Sequence, residues 1–334
     1  MILAAESRLV PITDHSCIAD ARRRVGAIAQ ELGFDATRRG QIEIVTTELA
    51  TNVHLHAGGG FLLVRTQGLH EGIEVLAVDR GRGMTNLAEC LRDGFSTAGT
   101  AGNGLGAIRR LSQVFDIYTQ PDHGTVVLAQ LFRTIPPPAP ARYLVGAVNV
   151  PVEGETLSGD AWGVVASPQG VSVAMADGLG HGPEAAQASQ KAIEVINGMA
   201  GQGLGGVLQS THRAIAATRG AAVAICAIDF SAGTVRYAGV GNISGQVIAV
   251  ERMQAMVSHN GIVGHQLYKA QEFSYAWPKS ALLVMYSDGL VSRLSLDGAP
   301  GLRQRHPSVI AAVLYRDFRR GRDDASVVVL REQP

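Results

Sequence analysis

The chain has 334 residues, which is enough for two ordinary domains that each bury a core. It carries 29 Lys and Arg against 29 Asp and Glu, so charge favours neither nucleic acid nor an anionic membrane as a partner. Three widely spaced cysteines, Cys17, Cys90 and Cys226, argue against a disulfide framework or a zinc site. The first residues carry a charge too early for a signal peptide, and no apolar run approaches the ~20 residues of a membrane span. We therefore expect a soluble, cytoplasmic protein.

The first half of the chain predicts helices packed on one side of a mainly antiparallel sheet. Apolar spacing predicts helices over residues 16–32 and 37–56, the second with Thr37 as its N-cap. The apolar stripe of that second helix consists of Ile42, Val45, Leu49 and Val53. The remaining predicted elements are strands at 61–66, 72–78, 114–118 and 124–132 and a helix at 105–111.

Two glycine clusters follow the predicted strand that ends at Asp79. Glycine lets backbone N–H groups close on an anion with no Cβ in the way, and Asp79 can accept a hydrogen bond from an exocyclic amine. The pattern therefore predicts a purine-nucleotide pocket with a closing lid, although either cluster alone would be an ordinary pair of turns. The clusters consist of Gly81 and Gly83, and of Gly102, Gly104 and Gly106.

A polar pair lies ahead of these clusters on the second predicted helix. Glu48 and Asn52 are four positions apart, so they share one helix face. The carboxylate can polarise an attacking hydroxyl or water, and the amide oxygen can hold a Mg²⁺ that bridges phosphates. An exposed polar face is the alternative interpretation. No lysine follows a glycine as a P-loop requires, and the second cluster lacks the spacing of a Rossmann turn.

Three motifs together resemble the histidine-kinase-like (GHKL) ATPase family, within it the RsbT-type serine kinases and their anti-sigma relatives. They are Glu48-Leu-Ala-Thr-Asn52, Asp79-Arg-Gly81-Arg-Gly83, and the run from Asp93 to Gly106. The resemblance covers about residues 10–132 and implies an α/β sandwich that binds ATP and Mg²⁺. It implies that Asn52 is the Mg²⁺ ligand, Glu48 the catalytic base and Asp79 the adenine-binding residue. It also implies that residues 102–106 form the phosphate turn at a helix N-terminus, with Gly81, Gly83 and Thr125 completing the pocket. Arg82 departs from the small or apolar residue that is usual between the glycines.

Four prolines in ten positions separate the two halves, in the sequence RTIPPPAPAR from Arg133 to Arg142. Successive prolines fix φ and remove backbone donors, so this stretch predicts an extended, semi-rigid spacer. We therefore expect a first domain at 1–132, a linker at 133–141 and a second domain at 142–334.

The second half predicts a β-sandwich flanked by helices, which makes the whole chain α+β. Two helices are predicted, at 183–199 and 204–218. The predicted strands are 143–150, 161–166, 171–176, 221–228, 234–239, 282–286 and 325–330.

Aspartates stand at the ends of these apolar runs. They are Asp160, Asp177, Asp288 and the adjacent pair Asp323 and Asp324. An aspartate just past a buried strand can direct its oxygens toward a hard cation, and Mg²⁺ or Mn²⁺ suits an all-oxygen site. Each Asp-Gly taken alone is an ordinary turn, whereas several at the ends of core strands indicate a cation site.

This arrangement resembles the metal-dependent PPM protein phosphatases, in the SpoIIE and RsbX branch, over about residues 142–331. The resemblance implies two Mn²⁺ or Mg²⁺ ions that share a water or hydroxide attacking phosphorus in line. It implies that Asp177 bridges the cations, that Asp160 and the Gly178 carbonyl complete one side, and that Asp288 and Asp323 complete the other. Asp324 is the second choice at the last position, and Ser158 stands where glycine is more usual. His181 is a candidate proton donor to the leaving hydroxyl, although a histidine in a glycine turn is more often a bystander.

The resemblances imply a bifunctional regulator of the partner-switching type. One domain would phosphorylate and the other dephosphorylate serine or threonine on a small STAS-domain protein, so the partners would be phosphorylated and unphosphorylated STAS proteins. A sigma factor or a downstream signalling enzyme is a further candidate partner. Two alternatives stay open. The first domain could be a binding module that sequesters a sigma factor or activates an enzyme without phosphotransfer, or the chain could be a phosphatase regulated by nucleotide.

Overall fold

The computed structural model describes residues 2–3, 6–67, 71–91, 104–134, 142–167, 169–250, 252–267 and 269–333. No helix within these residues is long and apolar enough to cross a membrane. The described helices are α1 Ser16–Glu31, α2 Ala36–Ala57, α3 Leu87–Cys90, α4 Gly104–Leu111, α5 Pro183–Gly198, α6 Leu204–Ala214 and α7 Pro307–Phe318, with a 3₁₀ turn at Leu302–Gln304.

The strands alternate with these helices in the first half and dominate the second. They are β1 Ile2–Leu3, β2 Arg8–Ile12, β3 Gly60–Gln67, β4 Gly72–Asp79, β5 Val114–Gln120, β6 Gly124–Phe132, β7 Tyr143–Val150, β8 Asp160–Ala166, β9 Gly170–Gly178, β10 Ala221–Asp229, β11 Thr234–Val240, β12 Ser244–Ile248, β13 Met253–Ala255, β14 Phe273–Ala276, β15 Leu282–Tyr286 and β16 Ala325–Glu332.

The chain divides into two compact units. The first unit contains Ser7–Ala139 and Leu296–Val313, and the second contains Met1–Glu6, Pro140–Ser295 and Leu314–Pro334. The linker at 133–141 between domains at 1–132 and 142–334 remains a prediction. The compact units group residues 296–313 with the first unit and the first six residues with the second, where β1 pairs with β8.

In the first unit, an antiparallel sheet in the order β2-β3-β4-β6-β5 carries helices α1 and α2. The predicted apolar stripe of α2 is buried because Ile42, Val45, Leu49 and Val53 join the core beneath the sheet. The predicted N-cap was wrong by two positions. Asp35 has an extended backbone and its Oδ1 accepts the N–H of Arg38 at 2.8 Å, so Thr37 lies inside the first turn.

Residues 296–313 bring a polar contact to β4 of the first unit. The Oγ of Ser308 donates a hydrogen bond to the carboxylate of Glu74 at 2.7 Å. The same carboxylate accepts hydrogen bonds from Arg65 at 2.8 Å and from Gln130 at 2.7 Å. Nearby, Asp116 accepts the N–H of His306 at 2.6 Å. Burial of an ionised Glu requires such partners, because a charge without them would be desolvated at high cost.

The second unit is a sandwich of two antiparallel sheets. One has the order β1-β8-β9-β10-β11-β14 and the other the order β13-β12-β15-β16-β7. The core between them includes Trp162, Tyr237, Met285 and Val328, while α5 and α6 pack over a second apolar cluster on β9 and β10. The predicted α+β class and β-sandwich are confirmed. The sequence predictions left out β1, β12, β13, β14 and α7, and in the first unit β2 and α3.

Candidate active sites

In the first unit, the polar face of α2 meets the start of α4. Glu48 and Asn52 are half-buried, and Gly104 begins α4 directly against them. A Cβ on Gly104 would lie 2.8 Å from Oε2 of Glu48 and 3.6 Å from Oδ1 of Asn52. The Nδ2 of Asn52 is buried with no hydrogen-bond partner among the described residues. The site therefore keeps an unused amide beside a helix N-terminus, where an anion binds well.

Asp79 ends β4 and organises the turn that follows it. Its Oδ1 accepts the N–H of Gly81 at 2.8 Å and the N–H of Thr125 at 3.1 Å. Gly81 also packs against the end of α2, where a Cβ would lie 2.6 Å from the Cβ of Ala57. These contacts fix the carboxylate of Asp79 at the edge of the sheet. Gly83 adopts a left-handed φ of 65°, which suits glycine.

The structure thus groups most of the residues predicted for nucleotide binding along α2, the end of β4 and α4. Gly106 is buried in the first turn of α4, and the Oγ1 of Thr125 lies 3.0 Å from that of Thr119. Gly102 and the rest of the predicted lid lie outside the described residues.

In the second unit, two of the predicted metal ligands face each other across a strand pair. Asp160 begins β8, and the antiparallel register places it directly opposite Asp177 near the end of β9. Side chains opposite each other in such a pair have Cβ atoms about 4.5–5.5 Å apart. Gly178 ends β9, so its carbonyl lies at the same edge as both carboxylates.

Burial and like charge act together on these carboxylates. Burial, followed by the negative charges of Asp160, Asp288 and Asp323, raises the pKa of Asp177 well above its ordinary value. Burial also raises the pKa of Asp160 above its ordinary value, although a hydrogen bond from Ser287 opposes this rise. The shifts have the direction expected of a group of acids that a bound cation would neutralise.

Asp288 and Asp323 approach the same region from the second sheet. Asp288 follows β15, and its Oδ2 accepts the Nδ2 of Asn242 at 2.7 Å. Burial and the charge of Asp323 raise the pKa of Asp288. Asp324 has a different role, since its two oxygens accept the N–H of Val152 and that of Gly159, each at 2.7 Å. These bonds favour Asp323 over Asp324 as the ligand.

Side chains outside the predicted set hold the carboxylates in place. Ser287 donates to Oδ2 of Asp160 at 2.6 Å and accepts the N–H of Ser326 at 3.0 Å, which ties β8 to β16. The sequence analysis assigns no role to Ser287 or Asn242. The position of Ser287 directly before Asp288 is the only local signal, because the contacts join segments up to 127 residues apart.

His181 lies in the turn after β9, where its Nδ1 is 2.7 Å from Oε1 of Glu155. Gly182 follows with a φ of 76°, and its position next to the carboxyl of Glu155 leaves little room for a Cβ. The contact gives His181 a defined orientation, which local sequence does not indicate because the two residues are 26 positions apart.

A family model described as stage II sporulation protein E (SpoIIE) matches residues 167–333, which is half of the chain. The chain belongs to the SpoIIE family. A second family model, described as a histidine kinase-like ATPase domain, matches residues 13–131 of this SpoIIE-family chain.

Two proteins of Bacillus subtilis (strain 168) match opposite halves. The serine/threonine-protein kinase RsbT is 33% identical over 129 residues, which cover 35% of this chain and 96% of RsbT. The phosphoserine phosphatase RsbX is 26% identical over 145 residues, which cover 41% of this chain and 70% of RsbX. A solved structure from work on the bacterial stressosome, a modular system adapted to control secondary messenger signaling, has a TM-score of 0.53 and 28% identity and covers 57% of this chain and 99% of its own.

The SpoIIE-family chain therefore carries a PPM-type phosphatase domain and a kinase-like ATPase domain, as the sequence resemblance predicted. These families imply a nucleotide and divalent cations. The Nδ2 of Asn52, which has no partner among the described residues, can donate to a nucleotide phosphate, and Oδ1 of the same amide suits its cation. In the second unit the all-carboxylate donor set fits Mg²⁺ or Mn²⁺. No three His, Cys, Asp or Glu side chains in the described residues already converge as a finished cation site.

Proposed function

We propose that the chain both phosphorylates and dephosphorylates serine or threonine on STAS-domain proteins, as a bifunctional partner-switching regulator. The observation that carries this proposal is the presence of opposite chemistries on one chain. The half similar to the kinase RsbT contains the Glu48 and Asn52 pair against α4, and the half similar to the phosphatase RsbX contains the facing aspartates of β8 and β9. Both activities on one chain raise the local concentration of the second once the first has engaged a shared substrate.

For phosphorylation, we assign Glu48 as the base that accepts the proton of the substrate hydroxyl. The hydroxyl oxygen then bonds to the γ-phosphorus of ATP as the bond to the β-phosphate oxygen breaks. Asn52 would hold the nucleotide's Mg²⁺, and the start of α4 would receive phosphate oxygens through its N–H groups. Asp79, with its Oδ1 fixed by Gly81 and Thr125, would orient the adenine.

For dephosphorylation, Asp160, Asp177, the Gly178 carbonyl, Asp288 and Asp323 would hold two Mn²⁺ or Mg²⁺ ions. When bound, such cations lower the pKa of water and offset the charge of the phosphate. Water oxygen bonds to phosphorus as the phosphorus–oxygen bond to serine or threonine breaks, and the leaving oxygen takes up a proton. The candidate proton donor is His181, which follows Gly178 by three residues and is oriented by Glu155.

The test uses the full chain with a STAS-domain protein, ATP labelled at the γ-phosphate, and Mg²⁺ or Mn²⁺. We expect label to enter the STAS protein and then to leave it as inorganic phosphate. Glu48→Ala should abolish entry, and Asp177→Asn should abolish release. A wild-type chain that binds ATP but transfers no label to any STAS protein in a panel, while still releasing phosphate, would reject the kinase half of the proposal.

A second candidate function is a phosphatase whose rate is set by nucleotide in the first unit. One observation favours it. Residues Leu296–Val313 lie within the SpoIIE family match but are grouped with the first unit. In this case ATP or ADP should change the rate of phosphate release severalfold, and Asn52→Ala should remove that response. An unchanged rate with saturating nucleotide would exclude this candidate.

A further inference from the structure

A cavity of about 270 Å³ lies next to the phosphatase carboxylates in the second unit. Its walls come from the start of β12, from β13 and from the segment after β15, and they include Asn242, Ser244, Gln246, Ala255, Tyr286 and Ser292. The volume is slightly below the ~300–1,000 Å³ of pockets for whole small ligands. It therefore suits one amino-acid side chain better than a nucleotide or cofactor.

The polar groups of this cavity are uncharged and leave one acceptor without a partner. No residue that lines it within the described part of the chain is charged. The hydroxyl of Tyr286 donates to the Ser292 carbonyl at 3.1 Å and accepts from Nε2 of Gln246 at 3.1 Å. Oε1 of Gln246 has no hydrogen-bond partner in the described structure, although only 5% of the residue is exposed. A buried acceptor of this kind costs free energy until a donor satisfies it.

One residue links the cavity to the proposed phosphatase site. Asn242 lines it and also donates to Asp288 at 2.7 Å. Two exposed apolar residues stand beside the lining, since Val257 (52% exposed) precedes Ser258 and Val291 (36% exposed) precedes Ser292. A few placed polar groups in a concave site fix the orientation of what binds there and so provide specificity, and this cavity presents such groups beside the reacting centre.

We propose that this cavity, which we call the Gln246 pocket, binds an uncharged hydrogen-bond-donating side chain of the phosphoprotein, such as Gln or Asn, close in sequence to the phosphorylated residue. The inference rests on the proposed phosphatase function and adds a determinant of its substrate class. When the phosphorylated residue of the substrate lies near Asp288, a residue close to it in the substrate chain can reach the pocket, because an extended chain advances about 3.3 Å per residue. A charged side chain is disfavoured because the pocket offers no opposite charge for its desolvation.

The experiment measures kcat/KM of the full-length chain with Mn²⁺ on phosphoserine peptides derived from a STAS protein that it dephosphorylates. Each flanking position carries Gln, Leu or Glu in turn, and p-nitrophenyl phosphate serves as the reference substrate. Wild type should prefer Gln over Glu at one flanking position by about tenfold, which is the ~1.4 kcal/mol of one satisfied neutral hydrogen bond. Gln246→Leu should reduce this preference to about twofold or less.

Ala255→Leu tests the pocket without touching any hydrogen bond, since Ala255 is an exposed residue of the lining. It should reduce the preference in the same way by narrowing the cavity. The matched control is Gln190→Leu on the exposed face of α5, which should keep the wild-type preference. A preference that survives both pocket variants, or its absence in an active wild type, overturns the inference alone. A wild-type chain that releases phosphate from no phosphoprotein or peptide overturns the proposed function and this inference together.

Discussion

At the residue scale, Gly104 determines how closely α4 approaches the polar face of α2. A Cβ there would press on Oε2 of Glu48 and lie near Asn52. Because the Glu48 carboxylate is the end of a flexible side chain, Gly104→Ala should displace it and leave the fold intact. We expect phosphotransfer to fall about 100-fold, since small misplacements of a reacting group cost this much.

The measurement is the initial rate of label transfer from ATP, with nucleotide affinity determined separately by titration. The matched control is Gly40→Ala in α2, where a Cβ meets no atom within 4 Å. It should stabilise the helix by about 0.5–1 kcal/mol and leave transfer unchanged. Equal transfer rates in Gly104→Ala and wild type would contradict the assigned role of Glu48.

Ser287 is a positioning residue on the phosphatase side. It donates to Asp160 and accepts from the backbone of Ser326, so its loss removes the orientation of a carboxylate proposed to bind metal. Ser287→Ala should lower phosphatase activity about 10- to 100-fold, the usual effect of removing a partner of a metal ligand. The apparent Mn²⁺ affinity should fall in parallel.

Activity against Mn²⁺ concentration checks this, with Ser231→Ala in an exposed turn as the control. If excess Mn²⁺ restores no activity and the variant remains folded, Ser287 acts in some other way than by holding Asp160 for a cation.

At the element scale, the start of α2 depends on Asp35. Its side chain satisfies the N–H of Arg38, one of the donors that a helix N-terminus leaves unpaired. Asp35→Ala should therefore lower the free energy of unfolding by about 1 kcal/mol, whereas Asp35→Asn should retain most of it. Denaturant unfolding of the three proteins, monitored by circular dichroism, gives the comparison. Equal losses in both variants would mean that charge rather than capping matters at this position.

The elements show which parts of the protein could be predicted from local sequence. The α2 stripe and the aspartates after apolar runs are short-range patterns, and the structure places them as expected in helix and strand ends. Thr37 and Asp35 are both good caps two residues apart, so local preference could not choose between them. Strands β12 to β14 were missed because they are short and carry little alternation.

The contacts that refine the sites were beyond the reach of local patterns. Asn242 meets Asp288 across 46 residues, and Ser308 meets Glu74 across 234. Such pairs depend on strand order and register, which no short motif encodes. The facing of Asp160 and Asp177 likewise follows from the antiparallel pairing of β8 and β9.

At the scale of the whole molecule, the buried Glu74 network makes stability depend on pH. Burial raises the pKa of Glu74, but Arg65 and the hydrogen bond from Ser308 more than offset this, so the pKa lies below its ordinary 4.5. The folded state therefore favours the ionised form. The resulting stability is fully present above pH 4.5 and is lost as the pH falls through the lowered folded-state pKa.

Glu74→Gln should lower the free energy of unfolding by about 3–5 kcal/mol near neutral pH, because it leaves Arg65 buried without its counter-charge. The difference from wild type should shrink as the pH drops below 4.5. Unfolding curves across this range provide the measurement, with Glu31→Gln at an exposed position as the control. A difference that grows on acidification would reverse the assigned sign.

Because Leu296–Val313 belong to the first unit, they affect what happens to the protein when the chain is cleaved between the two halves. A protease that cleaves within residues 135–141 divides the chain in two, with Glu74 on the N-terminal fragment and Ser308 and His306 on the C-terminal one. If the fragments separate, the N-terminal one exposes to water the surface around Glu74 and Arg65 that residues 296–313 had covered. The two fragments of the nicked protein should accordingly stay associated under mild conditions. A gene for the kinase-like half that stops at the prolines should yield a protein that aggregates easily.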